Sequence, residues 1–137
     1  MKNKIYLAGG LRSDWQKKVI EAFDDEFIFF NPREHGLENN SREYTTWDLH
    51  FLGQSDILFG YMETDNPSGY GLALEVGFAK AQGKTIILVD EKSPKDSSFD
   101  RYYKMVHDTS NVVFYTLDQG IEYLKSFARS SHSTLAL

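Results

Sequence analysis

Ser68-Gly69-Tyr70-Gly71-Leu72-Ala73-Leu74-Glu75-Val76-Gly77-Phe78-Ala79-Lys80-Ala81-Gln82-Gly83-Lys84, with Thr85-Ile86-Ile87-Leu88-Val89 directly after it, decides the fold. Gly69 and Gly71 open the stretch, where a turn needs backbone freedom and a ligand can approach the main chain. An apolar helical run follows and stops at Gly83, which suits the position just past a helix C-terminus. The β-branched run 85–89 then reads as a strand. Glu75 breaks the pattern. The spacing places it in the first turn of the helix, among Leu72, Leu74, Val76, Phe78 and Ala79, where a carboxylate is costly to bury without partners. Either it complements the helix N-terminus, or it is a positioned nucleophile or base.

Outward from this unit, strands alternate with helices. Ile5-Tyr6-Leu7-Ala8 reads as a short buried strand broken by Gly9-Gly10, and Ser13 or Asp14 as the N-cap of a helix striped by Trp15, Val19, Ile20, Ala22 and Phe23. Residues 26–30 are the second strand, stopped by Asn31-Pro32-Arg33. The polar stretch 34–46 is too long for an ordinary connection and reads as a lid or binding loop. Helical spacing resumes over 47–52; 56–61 is the third strand and 62–71 a second long loop. A charged loop at 90–100, a short helix at 101–107, a fifth strand at 112–115 and a closing helix at 117–127 complete the order. The strands are continuous apolar runs, as in a parallel sheet covered on both faces. The expected architecture is α/β: a single domain over 1–127 with a doubly wound, flavodoxin- or Rossmann-like sheet of five parallel strands, and a flexible tail at 128–137. Such sheets bind ligands beyond the strand C-termini, so Gly9-Gly10 and the loops at 34–46, 62–71 and 90–100 are expected on one rim.

Composition narrows the function. The chain has 137 residues, 41% hydrophobic and 15% aromatic, enough for one core without staples. It has no cysteine, which removes disulfides, thiolate nucleophiles and cysteine metal sites together. A net charge of -5 argues against a nucleic-acid polymer as partner, although backbone N–H groups can still hold a small anion. No run is long and apolar enough for a bilayer, and no signal-peptide core follows Met1, so a cytoplasmic protein without membrane contact is expected. His35, His50, His107 and His132 are scattered, and no metal site is expected. No nucleophile elbow or P-loop is present, and Gly69-x-Gly71 lacks the third glycine of a dinucleotide fingerprint.

Each candidate site residue has an ordinary alternative. A strand tyrosine such as Tyr6 suits a core. Arg12 and Ser13 after two glycines make either an anion cradle or a plain strand-to-helix turn. Asp48 beside Trp47 is either a solvated helical residue or a second carboxylate for Glu75, in which case the two would divide acid, base and nucleophile roles.

Four segments together resemble the nucleoside 2-deoxyribosyltransferase family, in its deoxyribosyltransferase-like branch: Ile5-Tyr6-Leu7-Ala8-Gly9-Gly10; Asn31-Pro32-Arg33; Trp47-Asp48 followed by Ser55-Asp56-Ile57; and Ser68-Gly69-Tyr70-Gly71 leading to Leu74-Glu75-Val76-Gly77-Phe78-Ala79. The resemblance spans Ile5 to about Leu124. It implies that Glu75 is the nucleophile forming a covalent glycosyl-enzyme, that Asp48 lies at the nucleobase and protonates it, and that Tyr6 orients Glu75. An oxocarbenium-like transition state is suited to such a carboxylate.

Departures shape the rest. Transferases carry a further aspartate before the glycines, where this chain has Asn66-Pro67-Ser68-Gly69. The related 2′-deoxynucleoside 5′-monophosphate N-glycosidases have a serine there, similar to Ser68 with an offset of one, and an arginine similar to Arg12. Tyr102-Tyr103-Lys104-Met105 lacks the asparagine that transferases borrow from a neighbouring subunit. The expected activity is therefore cleavage of the N-glycosidic bond of 2′-deoxynucleosides or their 5′-monophosphates, with transfer to another nucleobase or to water. Gly9, Gly10, Arg12, Ser68, Gly69 and Gly71 would line the sugar or phosphate end and Trp47 the base. No cofactor is expected, and a homo-oligomer is. The alternatives are an NAD or modified-nucleotide N-glycosidase and a nucleotide-sensing module without turnover.

Overall fold

A computed structural model describes residues 2–130. Five strands, β1 (Asn3–Gly9), β2 (Phe27–Phe30), β3 (Ile57–Met62), β4 (Thr85–Asp90) and β5 (Val112–Phe114), form one sheet in the order β2-β1-β3-β4-β5. Every neighbouring pair is parallel, with Tyr6 beside Phe30 on one side and Leu58 on the other. This is the doubly wound α/β order expected, and the chain reverses its direction of build between β1 and β3.

The period of two along each strand divides the core. Ile5, Leu7, Phe59, Ile87 and Val89 face α1 (Trp15–Glu21) and α6 (Leu117–Ser130). Tyr6, Ala8, Leu58, Met62, Ile86 and Leu88 face α2 (Ser41–Gly53), α3 (Tyr70–Ala81) and the short pair α4 (Ser97–Tyr102) and α5 (Lys104–Thr109). Both faces are covered, which is why the strands read as unbroken apolar runs. Among the described residues no helix is long and apolar enough to cross a membrane.

The organising helix ends as its sequence suggests. Gly83 takes φ +74, and the Gly83 and Lys84 N–H groups donate to the carbonyls of Lys80 and Ala79, at 3.1 and 3.0 Å. These two bonds make a Schellman cap.

Several expected boundaries move. The stretch 34–46 is not one long loop: a 3₁₀ turn occupies Pro32–Glu34 and α2 begins at Ser41. Asn40 caps that helix by accepting the Glu43 N–H at 3.2 Å, so a side chain supplies the start signal where apolar periodicity does not. The 90–100 stretch likewise holds a 3₁₀ turn (Ser93–Lys95) and the start of α4, which Asp96 caps through the Phe99 N–H. The helix expected at 101–107 is two helices, α4 and α5, joined at Tyr103. Asp14 precedes α1 without capping it through its side chain, and the Ser13 hydroxyl points elsewhere. Helix α6 runs through 128–130 with Ala128 buried, past the expected start of the tail; residues 131–137 lie outside the described residues.

Candidate active site

Three side chains from three elements meet over the α2–α3 face of the sheet. Tyr6 lies in β1 with no exposure at all, and its hydroxyl donates to Glu75 Oε2 at 2.7 Å. Glu75 is in the second turn of α3, not the first, because the helix starts at Tyr70; no acidic residue occupies the first turn. It therefore does not complement the helix N-terminus, and the end of the macrodipole gives no reason for its presence. Asp48 projects from α2 into the same cleft. Two adjoining cavities, about 190 and 320 Å³, share Gly9, Tyr44, Asp48 and Glu75 as walls.

The electrostatics are those of crowded acids. Burial pushes the Glu75 carboxyl up to about 8; the Tyr6 hydrogen bond works against that rise, and the neighbouring Asp48 charge adds to it. Asp48 is also raised, by burial first, with His35 and the Tyr6 hydroxyl pulling it down. The Tyr6 phenol is driven far above its ordinary value by burial and by both carboxylates, so it stays a donor. A carboxyl that titrates near neutral pH beside a second one, in a cleft, is the pattern of acid–base and nucleophilic sites.

Gly9 lines both cavities, and Gly71 lines the smaller one with Asp48 and Glu75. Gly9 has φ +148, and a side chain there would strike the Tyr61 carbonyl and come within 3.1 Å of the Trp15 ring. The other expected residues lie elsewhere. Trp47 faces a wide groove on the outer side of α2, with Phe51 and His50. Ser68 and Gly69 border a separate cavity of about 420 Å³ with Lys92, Tyr102 and Tyr103, so the loops of the rim serve two hollows rather than one. Asn66 Oδ1 accepts the N–H groups of both Ser68 and Gly69, at 3.2 Å each.

Gly10 and Arg12 belong to a turn held from within. Trp15 Nε1 and Gln16 Nε2 donate to the Gly10 carbonyl at 2.9 and 3.1 Å. Glu63, nearly buried at the end of β3, accepts the Arg12 N–H at 3.3 Å and the Ser13 hydroxyl at 2.9 Å. The chain's own carboxylate thus occupies part of the cradle read from the two glycines, and the Arg12 side chain stays exposed.

Sequence alone does not single out Tyr44, His35 or Glu63. Tyr44 stands one helical turn before Asp48 and joins it in both cavities, a relation that becomes visible once α2 is known to start at Ser41. His35 Nε2 lies 3.6 Å from Asp48 Oδ1. Among the described residues no group of three or more His, Asp or Glu side chains is placed to hold a metal ion.

Residues 2–93 match the family described as nucleoside 2-deoxyribosyltransferase like. Among solved structures, a 2-deoxyribosyltransferase from Bacillus psychrosaccharolyticus is 27% identical with a TM-score of 0.65, the match covering 90% of this chain and 95% of that one. A CMP N-glycosidase from Clostridium botulinum is 20% identical with a TM-score of 0.57, over 90% of this chain and 98% of that one, and is similar in fold. No curated protein matches the chain. With more than half its length matched to one family, the chain belongs to the nucleoside 2-deoxyribosyltransferase-like family.

Proposed function

We propose that the protein cleaves the N-glycosidic bond of 2′-deoxynucleosides or their 5′-monophosphates, passing the deoxyribosyl group to a second nucleobase or to water. The observation that carries this reading is the 2.7 Å bond from Tyr6 to Glu75 in a cleft shared with Asp48. Glu75 attacks the anomeric carbon as a carboxylate, Tyr6 holds the attacking group, and Asp48 delivers a proton to the departing base. Gly9 and Gly71 leave room for the sugar. Arg12, exposed and next in the chain to Leu11 of the cleft wall, is the candidate partner of a 5′-phosphate. The reading is supported by family membership and by the transferase neighbour. A homo-oligomer is part of the proposal: Tyr70, Leu74, Tyr102 and Met105 are 82, 57, 77 and 79% exposed on α3 to α5, more apolar surface than a lone chain gains from showing.

Chromatography of each 2′-deoxynucleoside and its 5′-monophosphate, with and without an acceptor base, tests the activity beside Glu75→Ala. Base released by wild type alone is the expected result; a new nucleoside identifies transfer, and free base without exchange identifies hydrolysis. Equal background from wild type and Glu75→Ala on all substrates refutes the proposal. Light scattering tests the oligomer, and a monomeric mass at working concentration removes that part.

A further inference from the structure

We infer that His35 is the positioning residue for Asp48: its Nε2–H faces the covered, unpartnered oxygen of that carboxylate and takes up the charge left there when Asp48 gives its proton to the departing base. The inference rests on the glycosidic reading above.

Local backbone fixes the ring. His35 follows the 3₁₀ turn at Pro32–Glu34, and its Nδ1 accepts the Leu37 N–H at 3.0 Å. In the neutral ring that bond places the hydrogen on Nε2. The ring stacks on Tyr44, with centroids 6.3 Å apart and planes 7° off parallel, and meets the Trp47 ring edge-on at 5.1 Å. The side chain is 6% exposed. Held in this way, its one free polar atom looks at Asp48 Oδ1 from 3.6 Å, a few tenths of an ångström beyond a hydrogen bond. That oxygen is fully covered and has no hydrogen-bond partner.

Charge points the same way. The titratable groups around this cavity are Tyr6 from β1, Glu38 from the segment before α2, Tyr44 and Asp48 from α2, and Glu75 from α3. None is lysine or arginine, so His35 is the basic side chain of the cavity wall. In the step itself, a Glu75 oxygen bonds to the anomeric carbon as the bond from that carbon to the base nitrogen breaks. The electron pair goes to the base, which takes the Asp48 proton. Asp48 is left an anion in a buried place, and a donor aimed at it lowers the cost of forming that anion. His35 therefore makes Asp48 a stronger acid without touching the substrate.

The test uses His35→Phe, which keeps a ring against Tyr44 and Trp47 but removes the donor, and His35→Gln, which restores one. Each is assayed on 2′-deoxynucleosides whose bases span several pKa units as leaving groups. For His35→Phe, kcat/KM is expected to fall roughly 10- to 100-fold on the poorest leaving base and about twofold on the best, with His35→Gln recovering part of the loss. Equal loss along the series, or no loss, overturns the inference. Nitrogen-15 NMR of the histidines gives a readout independent of turnover. The expected result is an Nε2–H tautomer whose Nε2 resonance shifts in Asp48→Asn; an Nδ1–H tautomer, or an Nε2 resonance indifferent to Asp48, overturns the pairing. If wild type cleaves neither the 2′-deoxynucleosides nor their 5′-monophosphates, the glycosidic reading falls, and the NMR result alone decides whether His35 and Asp48 act as a pair.

Discussion

Replacing Tyr6 by phenylalanine removes one oxygen from a fully buried ring and leaves its packing in place. The lost interaction is the 2.7 Å bond to Glu75 Oε2, with a carboxyl as acceptor. A hydrogen bond to a charged group contributes about 1.5–3 kcal/mol, which corresponds to roughly one to two pKa units. The bond opposes the rise of the Glu75 carboxyl, which stands at about 8 with it in place. Without it the carboxyl titrates at about 9 to 10, and the ionised fraction at pH 7 drops from about one in ten to between about one in a hundred and one in a thousand. Carbon-13 NMR with labelled glutamate measures this directly, the Glu75 signal being the one that Glu75→Gln abolishes. Nucleophilic attack at neutral pH then falls by about the same factor. A Glu75 titration in Tyr6→Phe within about half a unit of wild type refutes the reasoning, because Tyr6 would not be holding the carboxylate.

Two further predictions concern stability. A Glu75 carboxyl that titrates at about 8 in the folded chain, against its ordinary 4.5, binds its proton more tightly when folded, so the fold loses stability as pH rises between those values. Glu75→Gln removes that loss, on the order of 2–4 kcal/mol; its melting temperature should exceed wild type by roughly 10 °C at pH 8.5 and match it near pH 4. At the end of β4, Asp90 is fully buried and takes bonds from His107 Nε2 at 2.6 Å, the Ser93 hydroxyl at 2.5 Å and two backbone N–H groups. Burial alone would raise Asp90, but these bonds hold it below its ordinary value. His107→Ala should cost about 2–4 kcal/mol at pH 7 by urea denaturation. That cost should shrink as pH falls below about 4, where the contribution of the depressed carboxyl is lost through its folded pKa.

The fold was legible wherever burial writes itself into the sequence. Residues 5–8, 57–62 and 86–89 are buried on both sides and carry no charged side chain, and no other element makes runs so short and so continuous. Helix α2 was half hidden for the opposite reason. Leu52 is its one fully buried residue, and its opening turns, Ser41 to Thr46, face solvent or the cleft, so nothing periodic marks them. The Asn40 and Glu43 pair was the available signal. The same ambiguity put Glu75 one turn too early, since Tyr70 and Gly71 read as the end of the 62–71 loop and yet belong to the helix. Within the site, Tyr6, Asp48 and Glu75 were reachable because each stands out against its own segment or carries the family resemblance. Glu63 and His35 were not, because their significance lies in partners: Glu63 meets Ser13 across 50 residues, and His35 meets Asp48 only through the turn that Pro32 starts.

The two carboxylates of the cleft make opposite demands on one proton, and Asp48→Asn separates them. On the proposed reading the productive state has Glu75 ionised and Asp48 protonated. The environment favours a proton on Glu75, which titrates at about 8, so the productive state is a tautomer of the resting one and not its majority form. Asparagine at 48 removes the like charge that raises Glu75, so the Glu75 titration moves down and the nucleophile is more available at pH 7. It also removes the acid. Loss of a general acid costs about 10²–10⁴ in rate on a base that must be protonated to leave, and nearly nothing on one that leaves as a stable anion. Asp48→Asn should therefore show a lower Glu75 titration together with a much steeper dependence of kcat/KM on leaving-base pKa. Measured side by side with Tyr6→Phe, the two variants should move the Glu75 carboxyl in opposite directions while both slow the poorest leaving base. If both variants shift Glu75 the same way, Asp48 and Tyr6 are not acting on it through charge and hydrogen bonding, and the division of roles in the cleft is wrong.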